Sequence, residues 1–434
     1  MRRGRVIASL AVAALVSAAL VVPAGADDPA AQASTSRARV AKSRSVTLAP
    51  GLTFTTVTKP SIPLKYYVLK AEPQKALSID TAMAGTQFGN YARLSSIGSN
   101  HNAIAGINGD FSDSGMPVHP FAEDGTLMTS GLSKGASFAV SRDELDSYVN
   151  NQNVGVEGLN VRSGRAFAID EWNAGDPGGS DVSAFTSNGG SRQDPPRDAC
   201  AARLFPDGAM RFGAGGVGLV RDYEVDRVIC GSSPATLGGG VLLTARRGTS
   251  ASNNVINDMS GGDQVRLTWR VADWRKTMDV IGGAPLLVQN GRKVADDGCD
   301  WYFCDRNPRS GVGVKADGTV LLITVDGRSS SSKGVTPEGF AQIFLDHGAR
   351  YAVNLDGGGG ATMWVRGRGI VNRPSDGGER PLTNAILVLP GNDNDEPNPS
   401  RVARTIVSRR AAADAARAAM HDPGSTGGLL DLLG

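Results

Sequence analysis

"VLLITVDGRSSSSKGVTPEGFAQIFLDHGARYAVNLDGGGG", residues 320–360, is the stretch on which the fold turns. Its first six residues are almost wholly apolar and rich in β-branched side chains, the pattern of a strand buried on both faces. Thr336 then suits an N-cap, Pro337 the first helical position and Glu338 the first turn. Phe340, Ile343 and Phe344 share one helical face, and Gly348 suits the residue after the helix. "RYAVNL" returns as a second apolar strand. Strand, helix and strand together predict a crossover between parallel, doubly covered strands.

Working outward, strands dominate. "PLLVQNGRKV" (285–294) and "VGVKADGTVLLITV" (312–325) carry Asn290-Gly291 and Asp317-Gly318, residues that accept the positive φ of tight hairpins. "MWVRGRGIV" (363–371) is a third hairpin candidate, and residues 150–280 alternate strands with glycine-rich turns. The predicted class is α+β: a large mixed β-sheet core with few helices, including one strand–helix–strand crossover near the site.

The four glycines Gly357–Gly360 follow Asp356 and carry a large entropic cost on folding. A phosphate loop would lead into a helix, but "ATMWV" follows, so that reading fails. No H-E-x-x-H occurs, and no G-x-S-x-G or G-x-G-x-x-G leads from a strand into a helix, as a nucleophile elbow or dinucleotide fingerprint requires. His101, His119 and His347 are expected to be structural. What remains is a set of acids where apolar runs end: Asp110 after "AIAGING", Asp326 after "VLLITV" and Asp356 after "YAVNL". One such acid commonly caps its own turn. Three suggest a shared cleft beyond the carboxyl ends of strands, two of them expected to be adjacent and parallel. Arg306, Arg309, Arg328, Arg373 and Arg380 supply guanidinium forks that match phosphate or carboxylate.

The N-terminus shows Arg2, Arg3 and Arg5, an apolar run Val6–Val22 and the small residues "AGA" at 24–26. This is the pattern of a Sec signal peptide at 1–26, hence a secreted protein with no transmembrane anchor. Removing three positive charges from a formal net charge of +2 leaves −1, which offers no footprint for nucleic acid. The expected organisation is signal peptide 1–26, flexible leader 27–45, one domain over 46–390, then a linker and Ala/Arg-rich tail over 391–434. Four cysteines in an exported chain read as two disulfides with three connectivities. Cys299 with Cys304 and Cys200 with Cys230 is the expected pairing.

Five blocks, "AGINGDF…DSGMPVHPFAEDGTLM", "IGGAPLLVQNG", "RNPRSGVGVKADGTVLLITVDGR", "NLDGGGGATMWV" and "NRPSDGGERPLTNAILV", resemble the phosphodiester glycosidase family. The resemblance runs from about Val46 to Pro390 and is most specific from Cys304 to Val388. It implies hydrolysis of the bond between a sugar's anomeric carbon and a phosphodiester. The catalytic acids it implies are Asp356, Asp110 and Asp326. The substrate-binding residues are Asn108, Arg309, Arg328, Asn354, Gly357, Gly358, Gly359, Thr362, Ser375 and Asp376. The family usually has Ser where this chain has Gly360. No cofactor is required, and a divalent metal near Asp356 stays open. The partner expected is a carbohydrate or sugar phosphate. A non-catalytic glycan-binding module and a glycosidase on unphosphorylated exopolysaccharide remain alternatives.

Overall fold

The computed structural model describes residues 41–391 apart from 76, 134, 142–146, 151–153, 190–191, 194–195, 215–217, 232–234, 237–239, 272–276 and 296–301. The expected signal peptide, most of the leader and the tail therefore lie outside the described residues. The first strand, Lys42–Ala49, begins before the expected boundary at Val46.

The elements that frame the candidate site are, in chain order, β1 (Leu64–Ala71), α1 (Leu94–Asn100), β2 (Ala105–Asn108), β3 (Arg309–Lys315), β4 (Val320–Val325), α2 (Pro337–Asp346), β5 (Ala349–Asn354), β6 (Met363–Val365) and β7 (Asn384–Pro390). Two sheets carry them. The first has eight strands, in the order 42–49, 52–59, β1, β4, β3, β5, 286–289, 292–293. The second has five, in the order 369–370, β6, β2, β7, 77–83.

The crossover is present, with one correction. β4 and β5 both pair antiparallel with β3, so they run parallel to one another but with β3 between them. The two strands expected to be adjacent are neighbours once removed. Local pattern gives direction and burial, whereas adjacency is decided by which strand fills the middle, and here it is the first arm of the 312–325 hairpin. All three expected hairpins form.

Parity explains the unbroken apolar run of β4. Val320 and Leu322 enter the core shared by the two sheets, while Leu321, Ile323 and Val325 enter the core under α2. Side chains alternate faces along a strand, so a strand covered on both sides has no polar register. Thr336 caps α2 by accepting from the Gly339 amide at 3.0 Å, and Gly348 leaves it at φ +82°. Phe340 and Phe344 of α2 are fully buried. They reach β3 at Gly311 and Gly313, where an added Cβ would come within 2.8 Å of Phe340 and 2.7 Å of Phe344. The second sheet buries its other face under the short helix α1, through Leu94, Ile97, Trp364 and Leu387. Along this part of the molecule the layers are helix, sheet, sheet, helix.

The expected strand-and-turn region forms a separate eight-stranded sheet with its own core. A five-stranded sheet containing Phe121–Glu123 and Thr277–Gly283 lies between the cores, giving Phe121, Phe138 and Ile281 to one and Ala122, Ala139 and Val280 to the other. Cys200 and Cys230 sit opposite one another on the longest hairpin and are disulfide-bonded, as expected. Cys304 is also in a disulfide. Its expected partner, Cys299, lies outside the described residues.

Candidate active site

The site lies where both sheets bring their strand ends to one edge. β4 and β5 end at Val325 and Asn354, beside the start of β3, and β2 ends at Asn108, beside the starts of β6 and β7. Asn108, buried and two-sided, clamps the two sheets together. Its Nδ2 donates to the Asp356 carbonyl at 2.8 Å, and its Oδ1 accepts from the Thr362 amide at 2.9 Å. The Asp356 amide donates in turn to the Gly109 carbonyl at 3.0 Å. An amide side chain donates and accepts at once, which this clamp requires.

Gly358–Gly360 form a single 3₁₀ turn before β6, with Gly358 at φ +55°. The glycines are covered by charged side chains of the chain itself. An added Cβ on Gly358 would lie 3.2 Å from Arg328 Nη2, and one on Gly359 would collide with the Asp376 carboxylate. On Gly360 it would collide with Asp356 Oδ2 and lie 2.6 Å from Arg380 Nη2. A Cβ on Gly357 would lie 2.8 Å from the Pro308 carbonyl. The run therefore lets carboxylates and guanidiniums lie directly on the backbone.

The three acids have different surroundings. Asp356 is partly open, its side chain 20% exposed, and Oδ2 accepts from Arg380 Nη2 at 2.6 Å. Burial pushes its carboxyl up to about 6, against the lowering effect of Arg380 and with a further push from the charge of Asp110. Asp110 is enclosed. Its Oδ1 accepts from the Phe111 amide and from His119 Nδ1, both at 2.7 Å, and Oδ2 accepts from the His119 amide at 2.7 Å. Burial raises its carboxyl, and the bonds from His119 and Phe111 oppose this. Asp326 is also buried and raised by burial. It accepts from Tyr67 Oη at 3.1 Å and the Arg373 amide at 2.8 Å, which fixes the start of the 372–383 loop.

Arg309 is buried rather than poised at a surface. Nε donates to the Val335 carbonyl at 2.8 Å, Nη2 to the carbonyls of Phe303 and Asp305, and the guanidinium lies 4.8 Å from the Phe303 ring centre. Burial pulls it down to about 10. Arg328 is exposed and adopts φ +54°, a backbone state that non-glycine residues rarely hold. Its Nε and Nη2 donate to Asn307 Oδ1 at 3.2 and 3.1 Å. Asn354 Nδ2 donates to the carbonyls of Ala284 and Leu355 at 2.8 and 2.7 Å. Asn354 Oδ1, Thr362 Oγ1 and Ser375 Oγ are buried and make no hydrogen bond among the described residues. Unsatisfied buried polar atoms are rare, and a ligand site is one place where they are tolerated.

Sequence reasoning left two contacts unforeseen. His119, expected to be structural, is joined to Asp110 by two hydrogen bonds, through its ring Nδ1 and its amide. The spacing "D-x₈-H" across an irregular loop carries no periodic signal that could have revealed it. Arg380 was one of several candidate arginines, and its contact with Asp356 depends on the path of the 372–383 loop. Among the described residues, no group of three or more His, Cys, Asp or Glu could hold a metal ion.

Residues 231–389 match the phosphodiester glycosidase family. That range contains every candidate site residue from Arg309 onward and excludes Asn108, Asp110 and His119. An uncharacterised SPbeta prophage-derived protein, YomE, of Bacillus subtilis (strain 168) is 40% identical over 91 residues, which is 21% of this chain and 14% of that protein's length. Among solved structures, a hypothetical protein from Synechocystis has a TM-score of 0.62 at 18% identity, covering 80% of this chain and 63% of that one. A protein of Burkholderia pseudomallei K96243 assigned as exported has a TM-score of 0.58 at 17% identity, covering 81% and 96%. The catalytic domain of zebrafish N-acetylglucosamine-1-phosphodiester alpha-N-acetylglucosaminidase has a TM-score of 0.42 at 12% identity, covering 80% and 88%.

Proposed function

We propose, from the family match and the surroundings of Asp356, that this chain is an exported hydrolase cleaving the bond between a sugar's anomeric carbon and a phosphodiester. Its single catalytic domain spans residues 46–390. The observation that carries the reading is a partly open carboxylate, raised to about 6, paired with Arg380 over Gly360, with Arg328 lying over Gly358 of the same glycine turn. A carboxylate of that pKa is ionised at neutral pH yet basic enough to attack carbon or accept a proton. The neighbouring arginines suit an anionic leaving group.

Two routes are open to Asp356. As nucleophile, it forms a bond to the anomeric carbon while the carbon–oxygen bond breaks and its electron pair leaves on the phosphate oxygen. Water then releases the sugar. As base, it takes a proton from a water that attacks the same carbon directly. The configuration of the first-formed sugar separates the routes, retained for the nucleophile and inverted for the base. Asp110 has its oxygens engaged by His119 and Phe111, so its part is to hold His119 and raise Asp356. Asp326 holds the loop that carries Arg373.

Export agrees with the basic and apolar N-terminal segments and with the Cys200–Cys230 disulfide, which suits an oxidising compartment. The test is hydrolysis of a sugar-1-phosphodiester against an aryl glycoside of the same sugar. Release of sugar from the diester supports the proposal. Binding of both without turnover would make the chain a glycan-binding module.

A further inference from the structure

Arg380 occupies Oδ2, one of the two oxygens through which Asp356 would act in the proposed chemistry. We propose that Arg380 is a specificity latch: the substrate's phosphodiester anion draws the guanidinium off Asp356 Oδ2, whereas a neutral glycoside leaves it in place. The inference rests on the function proposed above and adds what selects the substrate.

Geometry supports the exchange in four ways. First, the pair is half open, with 44% of the Arg380 side chain exposed and Nη2 at 2.6 Å from Oδ2. The carboxylate is the enclosed partner and the guanidinium the solvent-facing one, so the exchange is made by Arg380 turning toward an arriving anion. A phosphate offers the bidentate acceptor that a guanidinium fits best. Second, the backbone on either side of Arg380 is tied down. Glu379 accepts from the Ser95 amide and hydroxyl at 2.6 and 2.8 Å, and the Leu382 amide donates to the Ala92 carbonyl at 2.8 Å. The swing therefore belongs to the side chain, and Asp376 Oδ2, 3.8 Å from Nη1, gives it a second resting place. Third, Arg328 lies over Gly358, on the same turn, so an arriving anion meets two guanidiniums. Fourth, the pair exists because residue 360 lacks a side chain: a Cβ there would meet both Asp356 Oδ2 and Arg380 Nη2. Gly360, the departure from the serine of the resembled family, is what admits Arg380.

While Arg380 donates to Oδ2, that oxygen is a poorer nucleophile and base. Its removal leaves Asp356 with the charge of Asp110 beside it, and Arg328 over Gly358 as the cation on the same turn. Recognition of the leaving group is thereby linked to release of the attacking group, a gain made only with the correct substrate.

The experiment uses the full chain and the variants Arg380→Gln, Arg380→Lys and Gly360→Ser. Kinetics compare a sugar-1-phosphodiester with an aryl glycoside of the same sugar, and calorimetry measures binding of inorganic phosphate. Arg380→Gln is expected to lower kcat/KM for the diester about 100-fold or more while that for the aryl glycoside holds or rises. Phosphate binding should weaken at least about tenfold, and Arg380→Lys should restore part of both. Gly360→Ser should narrow the preference for the diester, because it pushes the pair apart. An equal loss on both substrates, or phosphate binding indifferent to Arg380, overturns the latch. A wild-type chain that hydrolyses neither substrate overturns the proposed function and with it the role in specificity; phosphate binding that still depends on Arg380 then keeps only the exchange of Arg380 from Asp356 to an anion.

Discussion

Asp356 is held at a cost. Raising a carboxyl from its ordinary value near 3.8 to about 6 disfavours the ionised folded state by about 3 kcal/mol, at about 1.4 kcal/mol per unit. Because the folded pKa is the higher one, the folded chain binds the extra proton between about pH 4 and 6. Stability therefore falls as pH rises through that window, and the full cost applies above it. Asp356→Asn has no such charge, so it is expected to abolish hydrolysis while raising the melting temperature at pH 7–8, with the gain vanishing near pH 4. Scanning calorimetry of both proteins across that range checks this; a variant less stable at every pH would contradict it. For the wild type, kcat/KM should fall on acidification with a midpoint near pH 6, as the carboxylate is protonated. At the same scale, Asn108→Ala removes both arms of the clamp and leaves the Thr362 amide and the Asp356 carbonyl short of a partner. A loss of about 2–4 kcal/mol in chemical denaturation is expected from groups so stranded. Of the residue-scale picture, the sequence showed the acids and the glycines but not what covers the glycines. A bare backbone accepts a ligand and a neighbouring side chain equally well, and only the path of residues 372–383 decides between them.

Among elements, α2 and the hairpins were the most legible. The cap, the apolar face and the Asn-Gly and Asp-Gly turns are local instructions within a few residues of one another. What escaped was long-range: β3 lying between β4 and β5, and the short helix α1, whose N-cap residue Arg93 makes no side-chain cap and whose Ser95 amide is met by the distant Glu379. Gly311 and Gly313 belong to the same lesson. In sequence they only weaken a strand, but in the fold they receive Phe340 and Phe344. Phe344→Ala should therefore cost about 3–5 kcal/mol in urea unfolding, the range for emptying a buried aromatic site. Thr336→Ala should cost only about 1 kcal/mol, through the lost cap. Equal costs would mean that α2 is held by its own propensity and not by the sheet.

Across the whole molecule, two sheets share one core and meet at the edge where Asp110, Asp326 and Asp356 emerge, while the eight-stranded sheet of residues 154–271 has a separate core and the Cys200–Cys230 bond. A disulfide closing a loop with sequence separation 30 contributes about 3–4 kcal/mol in the chain-entropy account. Cys200→Ser with Cys230→Ser should lower the melting temperature without changing kcat/KM, since neither residue touches the site's hydrogen bonds. The central claim is that Asp356 performs the chemistry at a sugar–phosphodiester bond. Its most direct test is sugar release from a sugar-1-phosphodiester by the wild-type chain and by folded Asp356→Asn. Turnover by the first and none by the second is the predicted result; equal turnover by both, or none by the wild type, contradicts it.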